Sequence, residues 1–237
     1  MKPPQPKKIP KIHTAHGDER IDDYYWLRDD TRKNPEVISY LEAENKYLES
    51  WFESKNDCRK EIYDELVSFI PPHEVSMKVK YGDYYYFSEI SSDQQYKTYY
   101  REINGNKELV LDVNELAKDL DYFNVASITP SPNNHYIAYA EDLSGRREYN
   151  IKIKNLETGQ IIDESIQRSS GSVVWNKNND TIYYALKDPV TLIENKVFKH
   201  KVGTDTKEDI LIYEEKDTEF HLHIFESRTK KYLNIYS

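Results

Sequence analysis

Cysteine, glycine and long apolar runs are all scarce in this 237-residue sequence, and each shortage closes off a class of function. Cys58 is the single cysteine, so an intrachain disulfide and a cysteine-built zinc centre are excluded, in keeping with a reducing compartment. The glycines are Gly17, Gly82, Gly105, Gly145, Gly159, Gly171 and Gly203. No two stand four residues apart, which removes the Gly-x-Ser-x-Gly elbow of many hydrolases, and the same spacings exclude the phosphate loop and the dinucleotide fingerprint. No run of 18 apolar residues occurs, and Lys2, Lys7, Lys8 and Lys11, interleaved with Pro3, Pro4, Pro6 and Pro10, lead into no apolar segment. Neither a membrane span nor a secretion signal is expected, and the cytoplasm is the expected location. Basic residues number 33 against 42 acidic ones, and the net charge of −9 repels nucleic-acid phosphates and anionic lipid alike. Neither nucleic acid nor membrane is an expected partner.

What is abundant is tyrosine, 21 residues, in a chain that is 32% charged and 38% hydrophobic. Amphipathic rings and β-branched residues carry the apolar burden, a mixture that suits strands better than disorder. Residues 1 to about 33 read as a polar, proline-rich arm holding one aromatic knot, Tyr24-Tyr25-Trp26-Leu27, which needs a surface to dock on. Asn34 followed by Pro35 gives a helix cap and first helical residue, and Ile38, Leu41, Leu48 and Phe52 recur at helical spacing. A helical hairpin or one long helix is expected to about Ile70, ended by Pro71-Pro72.

Beyond that point the period becomes alternating and a unit repeats. Its first strand is Tyr84 to Phe87, Tyr136 to Ala140, and Ile182 to Ala185; Asn133-Asn134 and Asn178-Asn179 occupy the turn before the last two. The second strand is Tyr96 to Ile103, Tyr149 to Leu156, and Lys196 to Val202, each closed by a glycine turn, and a short third strand follows around Val110, Ile161 and Leu211. Ile137 and Ile182 are 45 residues apart, and Ile151 and Val197 are 46 apart, a period that belongs to β-propeller blades; a β-sandwich is the alternative. The expected fold is therefore mainly β, a partial β-propeller of about three and a half blades, over residues 73–237, preceded by an arm and helix over residues 1–72. After Phe220 only two further strands, His221 to Phe225 and Lys231 to Tyr236, are expected. The ring does not close, and the chain is expected to be cut rather than finished.

Few residues suggest chemistry. His221 and His223 fall on one face of a strand, but no third ligand stands at a fixed offset, so a polar strand face is expected and no metal. His13 and His16 lie in the arm with no stronger case. Glu214-Glu215 and Asp29-Asp30 are potential acid and base pairs that in so charged a chain read as solvated faces. Arg146-Arg147, in the loop after Asp142 and Gly145, is the cation cluster suited to a fixed carboxylate on another domain, with an ordinary exposed turn as the alternative.

The stretch from His16 to Arg32, His-Gly-Asp-Glu-Arg-Ile-Asp-Asp-Tyr-Tyr-Trp-Leu-Arg-Asp-Asp-Thr-Arg, resembles the start of the oligopeptidase B branch of the prolyl oligopeptidase family. The resemblance continues through Ile70-Pro71, Ala140-Glu141-Asp142, Asn155 to Gly159, Val174-Trp175, His200 with Gly203-Thr204, and Ile212 to Glu215. It implies a seven-bladed propeller above an α/β-hydrolase domain, with the N-terminal arm and helix packed on the hydrolase side. It implies a serine oligopeptidase that cuts short peptides after Arg or Lys with a Ser-Asp-His triad and no cofactor. The triad belongs to the hydrolase domain, so no catalytic residue carries over to this chain, which alone is expected to be inactive. The implied partners are the missing peptidase domain, in cis or as a companion chain, and short basic peptides; the propeller gates their access. Arg146 and Arg147 are the expected interdomain contacts. The alternative is a freestanding propeller-type protein-interaction module, and an enzyme with a novel site among the histidines and acids finds no nucleophile, base and orienting group to use.

Overall fold

The computed structural model describes residues 2–237, which fall into two compact units, one ending at Pro71 and the other Pro72–Ser237.

In the first unit, β1 (Lys11–Ala15) and β2 (Asp18–Asp22) form an antiparallel hairpin. Its two-residue turn is His16-Gly17, both left-handed with φ 54° and 81°, the conformation that matches strand twist. The arm is thus a hairpin where only an extended segment had been expected; its strands are short, charged and mostly exposed, so no alternating apolar pattern marks them. The aromatic knot docks within its own unit. The Trp26 indole N–H donates to the Lys7 carbonyl at 2.8 Å, and its ring meets Tyr40 edge-on at 6.1 Å. Tyr25 lies 4.7 Å from the His13 ring and under the Lys11 ammonium at 3.4 Å.

Asp29 then turns the chain into a helix by accepting the backbone N–H groups of Thr31, Lys33 and Asn34 and the Thr31 hydroxyl. The Asn34 N–H first, then the Thr31 hydroxyl, hold its carboxyl at about 2, well below the usual carboxylate range. The Asn34 side chain accepts the Glu36 N–H at 3.0 Å, and Pro35 opens α1 (Pro35–Glu53). The chain breaks at Ser54-Lys55 and resumes as α2 (Asn56–Ser68), which buries no residue at all.

The second unit is built of blades. In blade 1, β3 (His73–Val75) and β4 (Val79–Tyr81) both pair with β5 (Tyr84–Ser91), followed by β6 (Thr98–Ile103) and β7 (Asn106–Asp112). A one-turn helix, α3 (Val113–Leu116), leads to blade 2: β8 (Asn124–Pro130), β9 (Tyr136–Asp142), β10 (Tyr149–Asn155) and the first half of β11 (Ile161–Trp175). Blade 3 uses the second half of β11, then β12 (Thr181–Lys187), β13 (Glu194–Lys201) and β14 (Ile210–Glu214). A hairpin of β15 (His223–Glu226) and β16 (Leu233–Tyr236) begins a fourth. No sheet closes on itself, and the architecture is a partial β-propeller.

Each blade has an innermost strand that the repeat in the sequence did not reveal. β8 reads Asn-Val-Ala-Ser-Ile-Thr-Pro, and the inner half of β11 is interrupted by Ser170-Gly171. Small and polar residues are what the crowded inner edge admits. A Cβ on Gly171, at φ 92°, would stand 3.0 Å from the Tyr149 ring and 3.2 Å from the Ala126 methyl.

The core lies between blades. On β9, Ile137 and Tyr139 face blade 1 with Val110, Leu111 and Phe123, while Ala138 and Ala140 face blade 3 with Ile151, Ile166, Trp175 and Ile182. Burial on both faces makes β9 read as an unbroken apolar run. Val174, Val197, Leu222 and Ile224 seal blade 3 against the fourth unit. Fully burying a side chain such as Ile151 stabilises by roughly 1.5–3 kcal/mol. Between these layers run backbone latches of matched spacing: Trp175 Nε1 donates to the Thr129 carbonyl and Lys154 Nζ to the Val110 carbonyl, each at 3.0 Å.

Candidate functional site

The β5–β6, β9–β10 and β12–β13 connections are equivalent hairpin tips of successive blades. The second carries Arg146 and Arg147. Its organiser is Asp142, the last residue of β9, with no exposed surface. The Asp142 carboxylate accepts N–H groups from Ser144 at 2.8 Å, Gly145 at 3.0 Å and Arg147 at 2.7 Å, together with the Ser144 hydroxyl. Burial opposes its ionisation, but those donors outweigh burial and hold the carboxyl below its ordinary range.

Arg147 sits in the left-handed region, φ 57°, a conformation that costs a non-glycine residue on the order of 1–2 kcal/mol. Both flanking peptide groups are tied: its N–H goes to Asp142, and its carbonyl accepts Lys187 Nζ at 2.7 Å from the end of β12. The guanidinium itself is exposed. Arg146 is partly engaged, with Nε 3.9 Å from Glu148 Oε2, but Arg168 competes for that acid with two closer bonds to Oε1 at 3.1 and 2.9 Å. The rim therefore carries three guanidinium groups, of Arg146, Arg147 and Arg168, beside two carboxylates, Glu148 and the buried Asp142. A rigid, net-cationic tip of this kind is suited to gripping a carboxylate on another surface.

The other residues singled out from the sequence are absorbed locally. Leu222 and Ile224 point into the core, leaving His221 and His223 exposed, and His223 Nδ1 lies 3.4 Å from Glu194 Oε2. Burial pushes the Glu194 carboxyl up against the pull of His223, Lys187 and His221. Glu215 accepts from Asp217 N–H and the Tyr213 and Ser237 hydroxyls, and Asp30 pairs with Arg28. Among the described residues, no three His, Cys, Asp or Glu side chains gather as a metal site.

Sequence reasoning missed the most buried polar cluster. His200 of β13, with no exposed surface, bonds Asp163 Oδ2 through Nε2 at 2.7 Å and Asp209 Oδ1 through Nδ1 at 2.6 Å. Asp163 also accepts from the Gly203 N–H and from Ser165, and Asp209 accepts the Tyr184 hydroxyl at 2.8 Å. Burial works against charge on the imidazole, yet Asp163 and then Asp209 raise its pKa; Asp163 in turn is held low despite its burial. Both ring nitrogens are spent on carboxylates, so His200 is a clamp joining blade 2 to blade 3 rather than a base for a nucleophile.

Residues 3–237 match the family described as prolyl oligopeptidase, N-terminal beta-propeller domain. The chain belongs to the prolyl oligopeptidase family. Among curated members, it is 34% identical to dipeptidyl aminopeptidase BI of Pseudoxanthomonas mexicana, covering 98% of this chain and 35% of that protein. It is 36% identical to protease 2 of Moraxella lacunata, covering 100% of this chain and again 35% of the relative. The chain thus spans about a third of the length of the prolyl oligopeptidase family members it matches. Among solved structures, oligopeptidase B from Leishmania major superposes with a TM-score of 0.91 at 29% identity, over 99% of this chain and 36% of that one. The likeness to oligopeptidase B seen between His16 and Arg32 is therefore one of fold as well as sequence.

Proposed function

We propose that this chain is the substrate-gating propeller portion of a serine oligopeptidase of the oligopeptidase B type, which hydrolyses short peptides after Arg or Lys in the cytoplasm. The observation that carries the reading is the superposition on oligopeptidase B over 99% of the chain, together with the family match from residue 3 to residue 237. In this reading the Ser-Asp-His triad belongs to an α/β-hydrolase domain, joined in cis or supplied as a companion chain, and the 237-residue chain has no peptidase activity of its own.

Two features support a docked partner. The helices expose Leu48, Trp51, Ile62, Tyr63 and Leu66, and the turn after α2 exposes Phe69 and Ile70, an apolar set suited to packing on a hydrolase domain. The second feature is the rim: Arg147, its backbone tied on both sides, leaves a cation exposed to a partner. Arg146 and Arg147 are the proposed interdomain contacts.

The test is an assay of the purified 237-residue chain on an Arg-containing fluorogenic peptide alongside a serine-reactive fluorophosphonate probe. The expected result is neither turnover nor labelling from a folded chain; turnover with labelling would overturn the reading. In a version carrying the hydrolase domain, changing both Arg146 and Arg147 to Ala is expected to alter the rate and weaken its salt dependence. An unchanged rate and salt profile would remove the rim from the mechanism.

A further inference from the structure

Blade 1 is irregular at its inner edge, as blades 2 and 3 are, but here the strand divides into two short pieces, β3 and β4. Its innermost strand is broken: between the pairs Val75–Glu89 and Val79–Tyr86, the inner chain has Ser76, Met77 and Lys78 where β5 has only Phe87 and Ser88. The extra residue makes a bulge, a device that re-aims side chains. It is fixed by the Ser76 N–H on the Ser88 carbonyl and by the Ser88 N–H on Ser76 Oγ, both at 2.9 Å. Met77 is left 87% exposed. Beside it lies a cavity of about 310 Å³, mainly apolar, walled by Val79, Tyr81, Phe87 and Tyr99 of blade 1 and by Ile128 and Pro130 of β8. That is the lower end of the size range of small-ligand sites, about 300–1,000 Å³.

The turn between β15 and β16 reaches one wall of this cavity. Lys230, left-handed at φ 56°, rests its ammonium 3.3 Å from the centroid of the Tyr81 ring. Arg228 and Lys231 flank it, and none of the three makes an ion pair among the described residues. Glu226 is the acid whose charge reaches Tyr81, and it lines a neighbouring hollow with Lys230 and Lys231. β4 pairs with β5 along one edge only, which leaves a row of backbone groups free on the other.

We propose that cavity, turn and strand edge together bind the C-terminal end of a peptide whose last side chain is apolar. The side chain fills the cavity, the terminal carboxylate meets Lys230, and the peptide backbone runs along the free edge of β4. A cation without an ion pair at the wall of an apolar hole calls for an anion attached to an apolar group, and the open strand edge selects a peptide over a simple carboxylic acid. Nothing in the site depends on turnover, so its test is independent of the peptidase reading.

The experiment titrates the 237-residue chain by calorimetry with acetyl-Gly-Phe bearing a free carboxylate, with its C-terminal amide, and with 3-phenylpropionate. The free acid is expected to bind at least tenfold more tightly than the amide, and more tightly than 3-phenylpropionate. Lys230→Glu, on an exposed turn, is expected to weaken the free acid at least tenfold and leave the circular dichroism spectrum unchanged. Val79→Trp, filling the cavity from an exposed position, is expected to abolish binding; should it fail to fold, the amide and Lys230→Glu decide alone. Equal affinity for acid and amide, or indifference to Lys230→Glu, would overturn the proposal, as would no binding by a folded chain at millimolar peptide. Equal binding of 3-phenylpropionate would overturn the assignment to a peptide.

Discussion

The two units of this chain treat their apolar residues in opposite ways. From Pro72 onward, side chains such as Val110, Tyr139, Ile151 and Ile182 lose nearly all contact with solvent, because each blade face meets another. Before Pro72, Val37 is the one apolar residue buried among the described residues, while Leu41, Leu48, Trp51, Ile62, Leu66 and Phe69 remain open. Lys55 over Trp51 and Arg59 over Phe52 cover some of that surface with cations rather than with packing. The blades generate their own interior. The helices have the amphipathic pattern of a packed element, yet beyond Val37 and the Tyr40–Trp26 contact most of their apolar face stays open, so little of their stability comes from packing.

That contrast can be broken most severely at the buried clamp. His200→Ala leaves Asp163 and Asp209 buried without their shared cation and is expected to cost about 3–5 kcal/mol, read as the urea midpoint of the blades. The same residue fixes a pH response. The His200 pKa is raised on folding, so its contribution is complete below the unfolded value near 6.5 and is lost as pH climbs through the raised folded value. Asp163 is lowered, so its contribution holds above its unfolded value and disappears as pH falls through the folded one. The wild-type midpoint is expected to drop on the alkaline side, and His200→Ala to flatten that limb. Ile151→Ala, in the core between blades 2 and 3, is expected to cost about 2–5 kcal/mol by the same measurement.

A smaller effect separates the turns. Asn134 is left-handed at φ 59° and its Oδ1 accepts the Tyr86 hydroxyl at 2.8 Å, so Asn134→Ala is expected to lose about 1–3 kcal/mol through strain and a missing inter-blade bond. At the other extreme, Leu66→Ala on α2 is expected to change stability by less than about 0.5 kcal/mol in the 237-residue chain. A loss of several kcal/mol at Leu66 would mean that the helices are packed after all and would erase the distinction.

The same contrast explains what the sequence disclosed. The blades were legible because burial on two faces produces dense apolar strands such as Tyr136 to Ala140, and because turn chemistry recurs at Asn134 and Asn179. The helix start was legible because Asn34 and Pro35 act on neighbouring backbone. Innermost strands were hidden, since a crowded inner edge selects Ser, Thr and Gly, which also mark loops. The clamp was hidden because Asp163 and His200 are 37 residues apart and only the packing of one blade on the next joins them. Arg146 and Arg147 stood out as charges, but the buried Asp142 that shapes their loop reads in sequence as one more surface acid.

β11 is the longest strand in the chain, 15 residues that leave blade 2 at one end and enter blade 3 at the other. Its pairing slips only at defined irregularities, and past Ser169 it has already changed partners from β10 to β12. A strand held in common means that neither sheet can open without pulling on the next. Amide protons on either side of Ser169 should therefore exchange with solvent at one shared rate. Under a stretching force, blades 2 and 3 should give way in a single rupture, with blade 1 yielding separately across the α3 junction.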